Sequence, residues 1–145
     1  MGKGIELAFQ KLNLEQTLLD LQATIDLAGE HGKVGVVGYC FGGLLTWLCA
    51  CDLSGVHAAS SYYGGGIVGN LDKQAKCPTI MHFGELDAHI PLSDVEKIKA
   101  AQSDVPVHVY AADHGFNCNH RGSFNEEASK LALERTLAHF AKHLS

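Results

Sequence analysis

Between Lys33 and Gly43 the chain reads Lys-Val-Gly-Val-Val-Gly-Tyr-Cys-Phe-Gly-Gly, and this stretch constrains the fold more than any other. Val34, Val36 and Val37 read as a short buried strand, and Leu44, Leu45, Trp47 and Leu48 open a buried helix. Cys40 stands at the joint. Gly38-Tyr39-Cys40-Phe41-Gly42 has the G-x-S-x-G spacing of a nucleophile elbow with sulfur in place of oxygen. Glycines two residues to either side let strand and helix pass close to a strained turn that pushes the side chain out of the sheet. At a helix N-terminus the unpaired backbone N–H groups and the positive end of the dipole favour the thiolate, the form that attacks. Two other readings compete. A dinucleotide fingerprint G-x-G-x-x-G would need glycine at position 40, where the Cys40 side chain blocks a pyrophosphate. A structural cysteine packed inertly into a turn is the plainer one.

Composition narrows the setting. A chain of 145 residues, 46% of them apolar, can bury one core, so a single domain is expected over residues 1–145. A net charge of −5 with no basic cluster argues against nucleic acid or an anionic membrane surface as partner. No apolar run approaches the roughly 20 residues of a membrane span, and no secretory pattern is visible, so the cytoplasm is the expected location. Five cysteines make an odd count, which disfavours a disulfide framework. The nine histidines come without C-x-x-C or H-E-x-x-H spacing, and Cys49 and Cys51 sit two apart on a probable helix, pointing to different sides. No metal site is expected.

Read in order, residues 1 to 12 carry little signal. Asn13 with Gln16 forms a capping box for a helix whose apolar face is Leu14, Leu18, Leu21, Ile25 and Ala28, ended by Gly29 or Gly32. The valine strand, the elbow and a helix to about residue 51 follow. His57 to Tyr63 is a second strand, stopped by Gly64-Gly-Gly66, and the loop to Lys76 shows no element. Cys77 to Gly84 is a third strand with Pro78 at its beginning. Ser93 and Glu96 form a capping box for a short helix, Val105 to Tyr110 is a fourth strand, and Ser123 with Glu126 caps a long C-terminal helix striped by Leu133, Leu137, Phe140 and Leu144. Alternating strands and helices predict an α/β fold with about four mostly parallel strands flanked by helices.

In such sheets ligands gather beyond the carboxyl ends of the strands. Cys40, Asp87 and His114 each fall just past a different strand and so share one rim. A thiol, a carboxylate and an imidazole supply a nucleophile, a base and a group that orients the base. The Phe41 backbone N–H, next after the nucleophile, is the first oxyanion donor. Asp113, adjacent to His114, is a less suitable carboxylate than Asp87, because neighbours seldom reach each other's far ring nitrogen. His82 lies inside an apolar strand and reads as core, and His89 as a loop residue.

The stretches Gly38-Tyr-Cys-Phe-Gly-Gly43, Gly84-Glu-Leu-Asp-Ala-His-Ile-Pro91 and His114-Gly-Phe-Asn-Cys-Asn-His-Arg-Gly-Ser-Phe124, with Ala128 to Leu137 following, resemble the dienelactone hydrolase (carboxymethylenebutenolidase) family. The resemblance implies an α/β-hydrolase fold with Cys40 as nucleophile, His114 as general base and acid, and Asp87 orienting His114. It implies hydrolysis of a small lactone or ester through an acyl-enzyme, without metal or organic cofactor. Tyr39 and Arg121 are candidate contacts for the substrate carbonyl or carboxylate. In the family an arginine soon after the histidine helps bind the substrate carboxylate, whereas here the residue four positions on is Cys118 and Arg121 comes later.

A complete hydrolase of this kind has four further strands before the elbow strand, and residues 1 to 32 hold one helix. The second oxyanion donor, normally from the loop after the third strand, is then absent, at a cost of about 10²- to 10³-fold in rate. The family's first-half glutamate that controls the thiol is gone too. The valine strand becomes a sheet edge, and a homo-oligomer formed through that edge or an uncovered sheet face is expected. A catalytically weak or inactive remnant that acts as an interaction module is the alternative to an enzyme.

Overall fold

The computed structural model describes residues 13–145, so the N-terminal stretch read as uninformative lies outside it. Helix α1 (Leu14–Gly29) leads to strand β1 (Val34–Tyr39), helix α2 (Phe41–Asp52) and strand β2 (Val56–Tyr62). A 3₁₀ turn at Ile67–Asn70 precedes strand β3 (Thr79–Gly84), helix α3 (Leu92–Ala101), strand β4 (Val107–Tyr110) and helix α4 (Glu126–Leu144). The strands pair in parallel in the order β1-β2-β3-β4, as the strand–helix alternation predicts. All four carboxyl ends therefore open on one rim.

Alternation along β2 shows what covers each face. Ser61 donates through its hydroxyl to the Gly43 carbonyl of α2, while Ser60 and Tyr62 reach Thr136 of α4. So α2 and α4 lie on opposite faces of the sheet. The core is filled by Trp47, Ile67, Met81, Phe83, Val95 and Ile98, all essentially without exposure. A second, smaller cluster joins Ile25 of α1 to Val34 and Cys49.

Four local expectations need correction. Asn13 does cap α1, its side chain accepting from the Gln16 N–H. The third helix, however, begins behind Pro91 and not Ser93, because proline's fixed φ suits the entry and Pro91 O already accepts from Val95 N. The last helix is capped by Asn125 and not Ser123, the Asn125 carboxamide oxygen accepting from Ala128 N. The supposedly featureless loop contains the 3₁₀ turn, where the Trp47 indole N–H donates to the Asn70 carbonyl. Finally, the apolar stripe on α4 is not its buried face: Ala128, Ala132 and Thr136 are buried, whereas Leu133 and Leu137 are 49% and 57% exposed. Small residues face the sheet so that the helix can lie close over it.

Candidate active site

Cys40 occupies a backbone conformation that only a forced turn maintains, φ 57° and ψ −120°. Such a non-glycine residue costs about 1–3 kcal/mol, and its neighbours must hold it there. They do so through the Cys40 N–H, which donates to the Tyr62 carbonyl at 3.0 Å, and through its carbonyl, which accepts from Gly43 N at 2.9 Å. The flanking glycines divide the work unequally. A Cβ on Gly38 would collide with the Gly42 carbonyl and the Thr46 hydroxyl, and one on Gly43 with the Tyr62 carbonyl. A Cβ on Gly42 would meet open space. The close approach is thus made by Gly38 and Gly43.

The other two rim residues are brought into register by the chain around them. Glu85 N donates to Tyr110 O and Leu86 N to Ala112 O, so the loops leaving β3 and β4 are tied together. Gly84 makes this possible, since a Cβ there would strike the Ala112 carbonyl. The buried Asp87 carboxylate accepts from the N–H groups of His89 and Ile90 through Oδ1, at 2.8 and 3.1 Å. Its other oxygen, Oδ2, lies 2.7 Å from His114 Nδ1. His114 Nε2 lies 3.2 Å from the Cys40 sulfur. Asp113, the alternative carboxylate, accepts from its own neighbour's backbone, the His114 N–H.

The electrostatics follow from this line of contacts. Hydrogen bonds to Asp87 and then to Cys40 push the His114 imidazole up to about 9 against the desolvation of its site. The hydrogen bond to His114 draws the Cys40 thiol below its ordinary value, with smaller help from the Phe41 N–H and the Arg121 charge. Elsewhere the trend reverses. Burial lifts Cys49 to about 11, Cys51 to about 12, and Cys77 upward. The contacts at Cys40 thus favour a thiolate beside an imidazolium, whereas burial disfavours the thiolate at the other three.

Sequence reasoning did not single out two aromatic walls around the imidazole. The Tyr63 ring lies 5.1 Å from the His114 ring on one side, and the exposed His89 ring 5.3 Å away, edge-on. Tyr63 itself is buried, strained at φ 36°, and held by the Asn117 N–H at its hydroxyl. The only signal for it was its place at the end of β2. Tyr39 is half-exposed beside Cys40, its ring 4.7 Å from Tyr62. Arg121 lies over Gly115, whose φ of 78° turns the chain back after His114. His82 is fully buried, as its apolar strand implied.

Comparison with known proteins gives the family. The family model described as the dienelactone hydrolase family matches residues 5–144. The chain belongs to the dienelactone hydrolase family. It is 34% identical to a putative carboxymethylenebutenolidase of Synechocystis sp., covering 89% of this chain and 60% of that protein. It is also 34% identical to a carboxymethylenebutenolidase of Pseudomonas putida, covering 89% and 58% respectively. The chain therefore spans about three fifths of the length of the family relatives it matches. Among solved structures, a putative dienelactone hydrolase from Klebsiella pneumoniae superposes with a TM-score of 0.79 at 30% identity over 89% of this chain and 62% of that one. A Pyrococcus furiosus esterase superposes with a TM-score of 0.65 at 16% identity, which speaks to the fold alone. The architecture is that of part of an α/β-hydrolase.

Proposed function

We propose that this chain hydrolyses a small lactone or carboxylic ester through a Cys40-His114-Asp87 triad. The observation that carries the reading is the continuous hydrogen-bond line from carboxylate to imidazole to sulfur, 2.7 and then 3.2 Å, ending at a strained elbow. The Cys40 thiolate adds to the substrate carbonyl, and the new oxyanion takes the Phe41 N–H as its first donor. The C–O bond then breaks, the His114 imidazolium gives its proton to the leaving oxygen, and a thioester remains on Cys40. His114, now neutral, takes a proton from water, whose oxygen attacks the thioester and releases the acid and the thiolate. Asp87 holds the imidazole in the tautomer that serves both steps.

Tyr39 and Arg121 are proposed as substrate contacts, Tyr39 because it is exposed beside the sulfur and Arg121 because its charge is felt there. The relatives' name points to a lactone bearing a carboxylate, and Arg121 is the cation proposed to receive it. No metal or organic cofactor takes part in this scheme. No helix among the described residues is long and apolar enough to cross a membrane. A cytoplasmic location is proposed as the setting. A homo-oligomer formed through the exposed β1 edge or an uncovered sheet face is proposed as the chain's association.

Hydrolysis of p-nitrophenyl acetate by the natural chain, Cys40→Ala and His114→Ala tests the reading. Loss of at least 10²-fold in both variants is expected, together with a burst of nitrophenol from the natural chain. One background rate shared by all three would leave the remnant alternative in its place.

A further inference from the structure

We infer that Tyr63 is a positioning residue, which couples the turn bearing Cys40 to the turn bearing His114 and so holds the imidazole Nε2 on the sulfur. Among the described residues, Cys40 and Tyr63 are the two that are not glycine and yet have positive φ, 57° and 36°. Backbone strain of this kind persists where the surroundings over-determine it, and it gathers at active sites. The elbow accounts for Cys40. It does not account for Tyr63.

The backbone around Tyr63 is clamped to the nucleophile's turn. The carbonyl before it, Tyr62 O, accepts from Cys40 N at 3.0 Å, and its own N–H donates to the His82 carbonyl of β3 at 2.7 Å. Gly64, next after it, is pressed on the start of α2, since a Cβ there would lie 2.8 Å from the Gly43 carbonyl carbon and 2.9 Å from Leu44 N. The side chain reaches the other turn. Its hydroxyl accepts from the N–H of Asn117, three residues after His114. Its ring lies 5.1 Å from the imidazole and 5.2 Å from Phe116, edge-on to the latter. That turn is in turn fixed to α4: Phe116 O accepts from Asn125 N at 3.0 Å, and Asn117 Oδ1 from the Ser129 hydroxyl at 2.7 Å.

The imidazole needs this backing. The contact between Nδ1 and Asp87 fixes one point of the ring, and rotation about that point carries Nε2 away from Cys40. Gly115 follows His114 directly, so the backbone there lends little stiffness of its own. A buried aromatic ring packed against the imidazole restricts the rotation, as rigid packing does for reacting groups generally. At 3% exposure Tyr63 does not meet substrate and acts through His114. Its bearing on turnover rests on the hydrolase reading above; the contact it maintains does not.

The test follows iodoacetamide alkylation of Cys40 against pH in the natural chain, Tyr63→Phe, Tyr63→Leu and His114→Ala, with circular dichroism to check the fold. Asp87, His89 and Arg121 also face the Cys40–His114 pair and are left in place, so a changed profile reports a displaced imidazole. Tyr63→Phe keeps the ring and releases the Asn117 N–H, whereas Tyr63→Leu loses both. At pH 7 alkylation should slow about threefold in Tyr63→Phe and about tenfold in Tyr63→Leu, toward the His114→Ala rate, and all four rates should converge at pH 10, where a thiol ionises unaided. With p-nitrophenyl acetate, kcat should fall about tenfold in Tyr63→Leu while KM stays within about threefold. A folded Tyr63→Leu whose alkylation profile matches the natural chain's overturns the inference. Should that variant not fold, an unchanged profile in Tyr63→Phe overturns it. Slowed alkylation in the variants of a chain that itself turns over no ester upholds the positioning and overturns the hydrolase reading.

Discussion

At the scale of the residue, one thiol differs from its fellows by what touches it. Cys40 shares a hydrogen bond with His114 and a neighbouring N–H, whereas Cys49, Cys51 and Cys77 meet chiefly a desolvating surround. Iodoacetamide at neutral pH should therefore alkylate Cys40 well before those three, and His114→Ala should slow it. Peptide mapping showing equal labelling of Cys40 and Cys77 would contradict this. The pH dependence follows with its sign. On the proposed mechanism the pair is productive while sulfur is deprotonated and imidazole protonated, so activity should rise as Cys40 ionises below the ordinary thiol range and fall as His114 loses its proton near 9. A rate still climbing above pH 10 would show that the thiolate needs no imidazolium. The glycines offer a contrast that the motif conceals. Gly38→Ala forces atoms into the Gly42 carbonyl and should cost about 1–3 kcal/mol or more, whereas Gly42→Ala enters open space on a helix and should be neutral or stabilising by about 0.5–1 kcal/mol. Urea midpoints of the two variants decide between them.

At the scale of the element, α4 is fastened to the sheet by a buried polar network. Thr136 Oγ1 lies 2.9 Å from Ser60 Oγ, 2.8 Å from the Tyr62 hydroxyl and 3.2 Å from His82 Nε2. His82 Nδ1 is 2.8 Å from the Tyr110 hydroxyl, which also accepts from Arg135 at 3.1 Å. No buried side-chain nitrogen or oxygen among the described residues lacks a partner. Thr136→Val keeps the shape but strands several of these groups, and a loss of about 1–3 kcal/mol is expected. A variant as stable as the natural chain in urea would mean the network contributes nothing. His82 adds a pH signature. Burial holds it neutral, down to about 3 against the ordinary 6.5, with the charges of His108, Arg135 and His139 acting in the same direction. Between those values the unfolded chain binds one proton more, so stability is lost as pH falls from 6.5 toward 3, by up to about 1.4 kcal/mol per unit. Urea midpoints unchanged from pH 6.5 to 4 would refute it.

At the scale of the whole molecule, β1 and β4 are the two edges of the sheet among the described residues. Tight packing over β2 and β3 gives way at β1 to an exposed strand face beside exposed leucines on α4. The same strand leads directly into Cys40. Light scattering at micromolar concentration should show self-association through this edge or face. A stable monomer at that concentration would overturn the expectation.

Much of this was legible in the chain because its signals are local. Valines, flanking glycines and a cysteine at one joint define an elbow wherever they fold, and strand–helix alternation admits only a parallel sheet, so the rim shared by Cys40, Asp87 and His114 followed from counting strand ends. What the chain could not show are contacts between segments far apart in sequence. The choice of Asn125 over Ser123 as cap, the burial of Thr136 in place of Leu137, and the aromatic walls of Tyr63 and His89 around His114 each depend on which neighbour arrives in space. An apolar stripe says that a helix seeks cover; only the packed sheet decides which flank receives it.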